Sequence, residues 1–187
     1  MVKIKNRNII IMGPQGSGKS TQAQMLAKKL GLKHISTGRT FREIAKEDSK
    51  LGRKIRNYLD KGLLISHKRV MEVINTVVPK EGFVLEGSPR ELHQAKEIKH
   101  RIDKVIYIHT SDEEGIRRIM KGTKIAGKGV SRKGRGDDTP KALKKRLALF
   151  HERTEPVLDF YRRKGILVEI EGERSIEEVF KSVLEVL

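Results

Sequence analysis

The segment Gly13-Pro-Gln-Gly-Ser-Gly-Lys-Ser20 limits what this chain can be more than any other part of it. It follows Asn8 to Met12, a β-branched run suited to a strand buried on both faces, and it precedes a helical run from Lys19 to Leu30. Strand, glycine-rich turn and helix in that order make a phosphate cradle. Glycines let consecutive backbone N–H groups turn inward toward an anion, and the helix adds its positive N-terminal end. Lys19 can reach the β- and γ-phosphates as a point charge, and Ser20 can offer its hydroxyl to Mg2+. The complete pattern G-x-x-x-x-G-K-[ST] in this context predicts a nucleoside triphosphate held by Gly16, Ser17, Gly18, Lys19, Ser20 and Thr21. It does not choose among the kinases, GTPases, ATPases and helicases that share such a cradle.

Similar strand-like runs recur as GFVLEG from Gly82, KVIYIHT from Lys104 and ILVEIEG from Ile166, with a weaker LKHIST from Leu32. Helical patterns lie between them. Val70, Val73, Ile74, Val77 and Val78 form one apolar stripe with Ser66 as its N-cap. Ser111 with Glu114, and Ser175 with Glu178, each fit a capping box. Leu143, Leu147 and Phe150 mark another helix; Pro156 restarts a helix after Thr154, and Gly165 ends it. Alternating strands and helices predict an α/β fold of the P-loop NTPase kind, a parallel five-stranded sheet with helices on both faces. Two segments break the rhythm: residues 36–65, polar and mostly helical, and residues 121–138, basic and glycine-rich.

At 187 residues the chain suits one domain, with no internal repeat and no Pro/Ser-rich linker. Forty-one basic residues against 24 acidic give a net charge of +17, which attracts anions of any kind. Nucleic acid is one such anion, but aromatics make up only 4%, too few for base stacking, and no nucleic-acid-binding motif is present. No specific nucleic-acid partner is expected. The absence of cysteine excludes disulfides and thiolate metal sites. The apolar run Ile9 to Met12 is far too short to span a membrane, so the reading is a cytoplasmic protein without a membrane partner. Abundant Lys, Arg and Glu with scarce Asn and Gln resemble hyperthermophile usage, which gives a slight expectation of a homo-oligomer.

The run GPQGSGKSTQAQMLAKKLGLKHISTG resembles the opening of adenylate kinases. GFVLEGSPRELHQA is similar to that family's G-F-x-L-D-G-F-P-R-x-x-x-Q-A, and GRGDDTPKALKKRL and TEPVLDFYRRKG look like its closing segments. The matches fall in family order over nearly the whole chain. The resemblance implies reversible phosphoryl transfer from a Mg-bound nucleoside triphosphate, expected to be ATP, to AMP, with Mg2+ as cofactor. It implies a core at 1–35, 66–120 and 139–187, an AMP-binding insertion at 36–65 and a short lid at 121–138. Arg42 and Arg90 match arginines that grip the acceptor phosphate, and Arg135 and Arg146 match arginines that bridge the two nucleotides. Lys19, Arg90, Arg135 and Arg146 are then the catalytic cations. Gln94 matches the glutamine that reads adenine, and Thr37 matches the threonine of AMP-selective members. Leu63, Leu64 and Ile65 would wall the AMP pocket, with Gly87 beneath the base. Arg118 would pack on the donor base, with the loop Gly172 to Arg174 nearby.

Four departures stand out. Glu86 replaces the family's aspartate, keeping the charge for a water-mediated Mg2+ role with altered reach; Ser88 replaces a phenylalanine; Arg39 stands where Asp is frequent. In the stretch from Arg118 to Asp138, which carries seven basic residues and five glycines, Gly122 occupies the place of a second lid arginine. Lys121, Lys124, Lys128 and Arg132 are the candidate substitutes. A kinase for UMP or CMP, and a nucleotide-gated nucleic-acid-binding protein, are the alternatives. Donor choice among ATP, GTP and other triphosphates is open at this level.

Overall fold

The computed structural model describes residues 7–61, 63–80, 82–121 and 139–187. Five strands, β1 (Asn8–Met12), β2 (Lys33–Ser36), β3 (Phe83–Glu86), β4 (Lys104–His109) and β5 (Leu167–Glu171), form one sheet in the order β2-β3-β1-β4-β5. Every pairing is parallel, with Ile11 opposite Glu86 on one side and Ile106 on the other. This is the α/β arrangement expected from the alternating pattern.

The helices are α1 (Lys19–Leu30), α2 (Thr37–Lys46), α3 (Lys50–Asp60), α4 (His67–Val77), α5 (Leu92–Glu97), α6 (Asp112–Met120), α7 (Pro140–Leu149), α8 (Glu155–Arg163) and α9 (Ile176–Glu185). Because side chains alternate along a strand, the run Ile9-Ile10-Ile11-Met12 feeds two cores at once. Ile9 and Ile11 pack with Ala23 and Leu26 of α1 and Val179 and Val183 of α9. Ile10 and Met12 pack on the other face with Phe41, Ile55, Val70, Ile74 and Val157. That double burial is why β1 reads as a continuous apolar run. Each fully buried isoleucine contributes about 1.5–3 kcal/mol relative to exposure.

Local signals fix the helix ends. The expected capping box at Ser175 and Glu178 is formed in full. The one at Ser111 is half-formed: Ser111 accepts from Glu114 N–H, but Glu114 turns to arginines, and the Ser111 N–H donates to Glu173 instead. Ser66 is the N-cap of α4 by position without a side-chain capping bond. Between α7 and α8 the chain makes a π turn over Phe150–Thr154, and Pro156 then sits in the first turn of α8. Among the described residues, no helix is long and apolar enough to cross a membrane.

β1 lies between β3 and β4, and the chain leaves it toward opposite sides of the sheet through β2 and β3 and through β4 and β5. The C-terminal end of β1 is therefore the switch point of an open parallel sheet, where ligands bind.

Candidate active site

One continuous cleft of about 1200 Å³ opens at that end. The phosphate cradle forms its floor. Gly16 and Gly18 hold left-handed φ values of 87° and 85°, which other residues adopt only at a cost. Helix α1 begins with no side-chain cap and no acidic residue in its first turn, so nothing opposes an anion at its positive end. Lys19 bends back so that Nζ donates to the Pro14 carbonyl at 2.9 Å. Gln15 Oε1 and Ser17 Oγ are buried here with no hydrogen-bond partner. A cradle with buried polar atoms lacking partners suits a polar ligand.

At the other end of the cleft, two guanidinium groups converge. A β-carbon added to Gly38 would lie 3.4 Å from Arg42 Nη1 and 3.9 Å from Arg90 Nη2. One added to Gly87, whose φ is 86°, would lie 2.8 Å from Thr37 Oγ1 and 3.8 Å from Arg90 Nη2. Arg90 is held on three sides: its Nε donates to Gly87 O at 2.7 Å, its N–H donates to Gln94 Oε1 at 2.8 Å, and its carbonyl accepts from Thr154 Oγ1 at 3.0 Å. Ser88 Oγ donates to Thr37 Oγ1 at 3.1 Å, and Thr37 Oγ1 donates on to Glu86 O at 3.3 Å. Leu63, Leu64 and Ile65 line the same end; Ile65 is buried and Leu63 exposed.

The remaining wall comes from α6, α7 and the loop after β5. Glu114 bonds both Arg117 and Arg118, and these hydrogen bonds hold its carboxyl down to about 2. Gly172 N–H donates to His109 O at 2.8 Å, tying that loop to β4, and Arg174 Nη2 donates to Ser182 Oγ at 3.1 Å. Arg146 reaches the cleft from α7, with Nε donating to Ala142 O at 3.3 Å. Gly16, Ser17, Gly18, Lys19, Ser20, Thr21, Thr37, Arg42, Glu86, Gly87, Arg90, Gln94, Arg118, Arg146 and Arg174 all line this one cleft. Arg135, with Gly122, Lys124, Lys128 and Arg132, lies outside the described residues. Glu114 and Arg117 also line the cleft; the sequence marks Glu114 only as half of a capping box and Arg117 not at all.

The donor set fits Mg2+. Glu86 is 5% exposed at the end of β3 and shares the cleft with the Ser20 hydroxyl, so both are hard oxygen donors. Among the described residues, no cluster of three or more His, Cys, Asp or Glu could hold a metal alone. That agrees with an ion bound through one carboxylate, waters and substrate phosphates.

A cradle for one polyphosphate and a paired-arginine site for a second anion in a single cleft narrow the candidates to enzymes that join two phosphate-bearing substrates. A model of the adenylate kinase family matches residues 11–166. The chain belongs to the adenylate kinase family. It is 36% identical to an adenylate kinase of Caldicellulosiruptor bescii, over 96% of this chain and 98% of that protein. Adenylate kinases of Methanothrix thermoacetophila and Staphylococcus aureus are each 33% identical over the same shares. The alignment with the first runs over 211 positions against the 187 residues here, so at least 24 of those positions are insertions in the relative. As an adenylate kinase, the chain transfers a phosphoryl group reversibly between ATP with AMP and two molecules of ADP.

Proposed function

We propose that ATP is the donor and AMP the preferred acceptor, and that the two occupy the cradle end and the paired-arginine end of the cleft. The observation that carries this reading is the approach of the Arg42 and Arg90 guanidinium groups on Gly38. Guanidinium forks match phosphate oxygens bidentately, so two of them reaching one point suit a phosphate group.

In this reading the backbone N–H groups of Gly16, Ser17, Gly18 and Thr21 cradle the triphosphate, and Lys19 leaves the Pro14 carbonyl to meet its β- and γ-oxygens. Ser20 and, through water, Glu86 hold Mg2+, which when bound neutralises charge on the phosphates. Arg42 and Arg90 fix the acceptor phosphate. Thr37 and Gln94 recognise the base, Leu63, Leu64 and Ile65 wall it, and Gly87 leaves room beneath it. Arg146, together with Arg135, spans the two phosphate groups. Arg118 and Arg174 flank the donor base. The transferred phosphoryl group needs no covalent partner in the protein, so positioning and cationic charge supply the catalysis. Residues 36–65 serve as the acceptor-binding insertion and residues 121–138 as the lid. The thermophile-like composition and a cytoplasmic setting accompany this reading.

An acceptor panel tests it. With Mg2+ and ATP held constant, AMP is expected to give the highest kcat/KM among AMP, UMP, CMP and GMP. A preference for UMP or CMP would replace AMP as the acceptor.

A further inference from the structure

Gln94 is 1% exposed, at the third position of α5, in the wall of the acceptor end of the cleft. Its amide is engaged at both ends by its own neighbours. The Arg90 backbone N–H donates to Oε1 at 2.8 Å, and Nε2 donates to Glu91 Oε2 at 3.1 Å. These contacts fix the direction of the amide. A flipped amide would set an NH2 group against a backbone N–H and a carbonyl oxygen against a carboxylate, two repulsions in place of two hydrogen bonds. A carboxylate only accepts, so Glu91 has no way to accommodate the flip. Its side chain is 19% exposed, and the same Oε2 lies 3.5 Å from His93 Nε2.

An amide carries two lone pairs on oxygen and two N–H groups on nitrogen. With one of each engaged internally, Gln94 has one lone pair and one N–H for a ligand. Adenine offers the complement: a 6-amino donor beside the unprotonated N1 acceptor. Hypoxanthine and guanine offer the inverse, a 6-carbonyl beside an N1–H, and would need the flipped amide.

We propose that Glu91 is a specificity-determining positioning residue: by holding Gln94 Nε2 it locks the amide in the one direction that accepts an amino-bearing base and rejects a 6-oxopurine. The inference rests on the reading of Gln94 as the residue facing the acceptor base. Glu91 stands behind Gln94 and acts through it. The arrangement rejects a base by leaving polar groups unpaired, which discriminates more strongly than a change of shape.

The test measures kcat and KM for AMP and IMP at saturating donor, in the wild type, Glu91→Gln and Gln94→Ala. IMP differs from AMP only at the 6-position and N1. Glutamine at position 91 keeps the size of the side chain but can donate or accept, so it removes one of the two repulsions that oppose the flipped Gln94 amide and leaves the Arg90 N–H to oppose it alone. Glu91→Gln is expected to narrow the AMP-to-IMP ratio of kcat/KM by roughly five- to tenfold, the worth of about one hydrogen bond, through KM and with kcat near wild type. A merely structural Glu91 would lower the melting temperature or slow both substrates by one common factor. An unchanged ratio in Glu91→Gln overturns the proposal. Gln94→Ala separates the two readings. If it raises the KM for AMP while Glu91→Gln leaves the ratio alone, the role of Glu91 falls by itself. If Gln94→Ala leaves the KM for AMP unchanged, the placement of the base against Gln94 falls as well.

Discussion

Gly115 of α6 packs backbone to backbone on Gly16 of the phosphate cradle, so closely that a β-carbon on Gly115 would run into the Gln15 carbonyl and one on Gly16 would run into Gly115. The contact joins the cradle directly to the helix that carries Arg117, Arg118 and, just past its end, Lys121. Gly115→Ala must push that helix and the cradle apart. The expected result is a loss of about 1–3 kcal/mol of stability, as for other overpacked sites, with a rise in KM for the donor larger than for the acceptor. Chemical denaturation and two-substrate kinetics measure both.

Lys19 is the cradle's movable cation, held on the Pro14 carbonyl at 2.9 Å. Lys19→Met keeps the stem and removes the charge. Loss of one preorganised electrostatic contact to the transferring group lowers kcat by roughly 100-fold or more, while the circular dichroism spectrum stays that of the wild type.

Lys121 lines the cleft next to Gly122, the position where the family resemblance led to an expected arginine. Its ammonium can supply charge to the transferring phosphate without the fork of a guanidinium. Lys121→Ala is expected to lower kcat by about tenfold with little change in either KM, a contact made chiefly in the transition state. An unchanged kcat in that variant removes Lys121 as the substitute for the lid arginine.

His151 joins three elements: its Nδ1 bonds Glu155 of α8 at 2.6 Å, and its Nε2 bonds Asp112 of α6 at 3.0 Å. The hydrogen bonds to Glu155 and then Asp112 raise its pKa above 6.5. A raised pKa means the folded state binds the proton more tightly, so the stabilisation is complete below about pH 6.5 and is lost as pH rises through the raised value. Melting temperatures of wild type and His151→Gln should therefore differ most near pH 5.5–6 and converge by about pH 9.

The parts of this molecule legible in the sequence are those specified locally. Gly13 to Ser20 announces its own turn, and the helix from Lys19 to Leu30 has the bounds that its pattern predicts. The Ser175–Glu178 capping box is likewise a signal confined to four residues. Arg42, Arg90, Thr37 and Gln94 were found through a family resemblance, and the fold brings them to one end of one cleft. Ser88 shows where local reading stops. In the sequence it stands where the family has a phenylalanine; in the structure the residue is buried and its hydroxyl donates to Thr37 in the wall of the cleft. The Gly16–Gly115 contact and the Ser111–Glu173 bond join segments far apart in the chain, and neither glycine nor glutamate signals such a partner in advance. The half-formed box at Ser111 has a local cause: Arg117 and Arg118, one turn on in the same helix, offer Glu114 charged donors, which outcompete a backbone N–H.

In the proposed reading two nucleotides meet in one cleft and exchange a phosphoryl group. Incubating the protein with Mg2+, ATP and AMP and following all three nucleotides tests it most directly. ADP is expected at two molecules for each ATP and AMP consumed, and Lys19→Met is expected to slow its appearance by roughly 100-fold or more. No ADP at any temperature up to a thermophile's growth range, or ADP formed from ATP alone with AMP untouched, would contradict it.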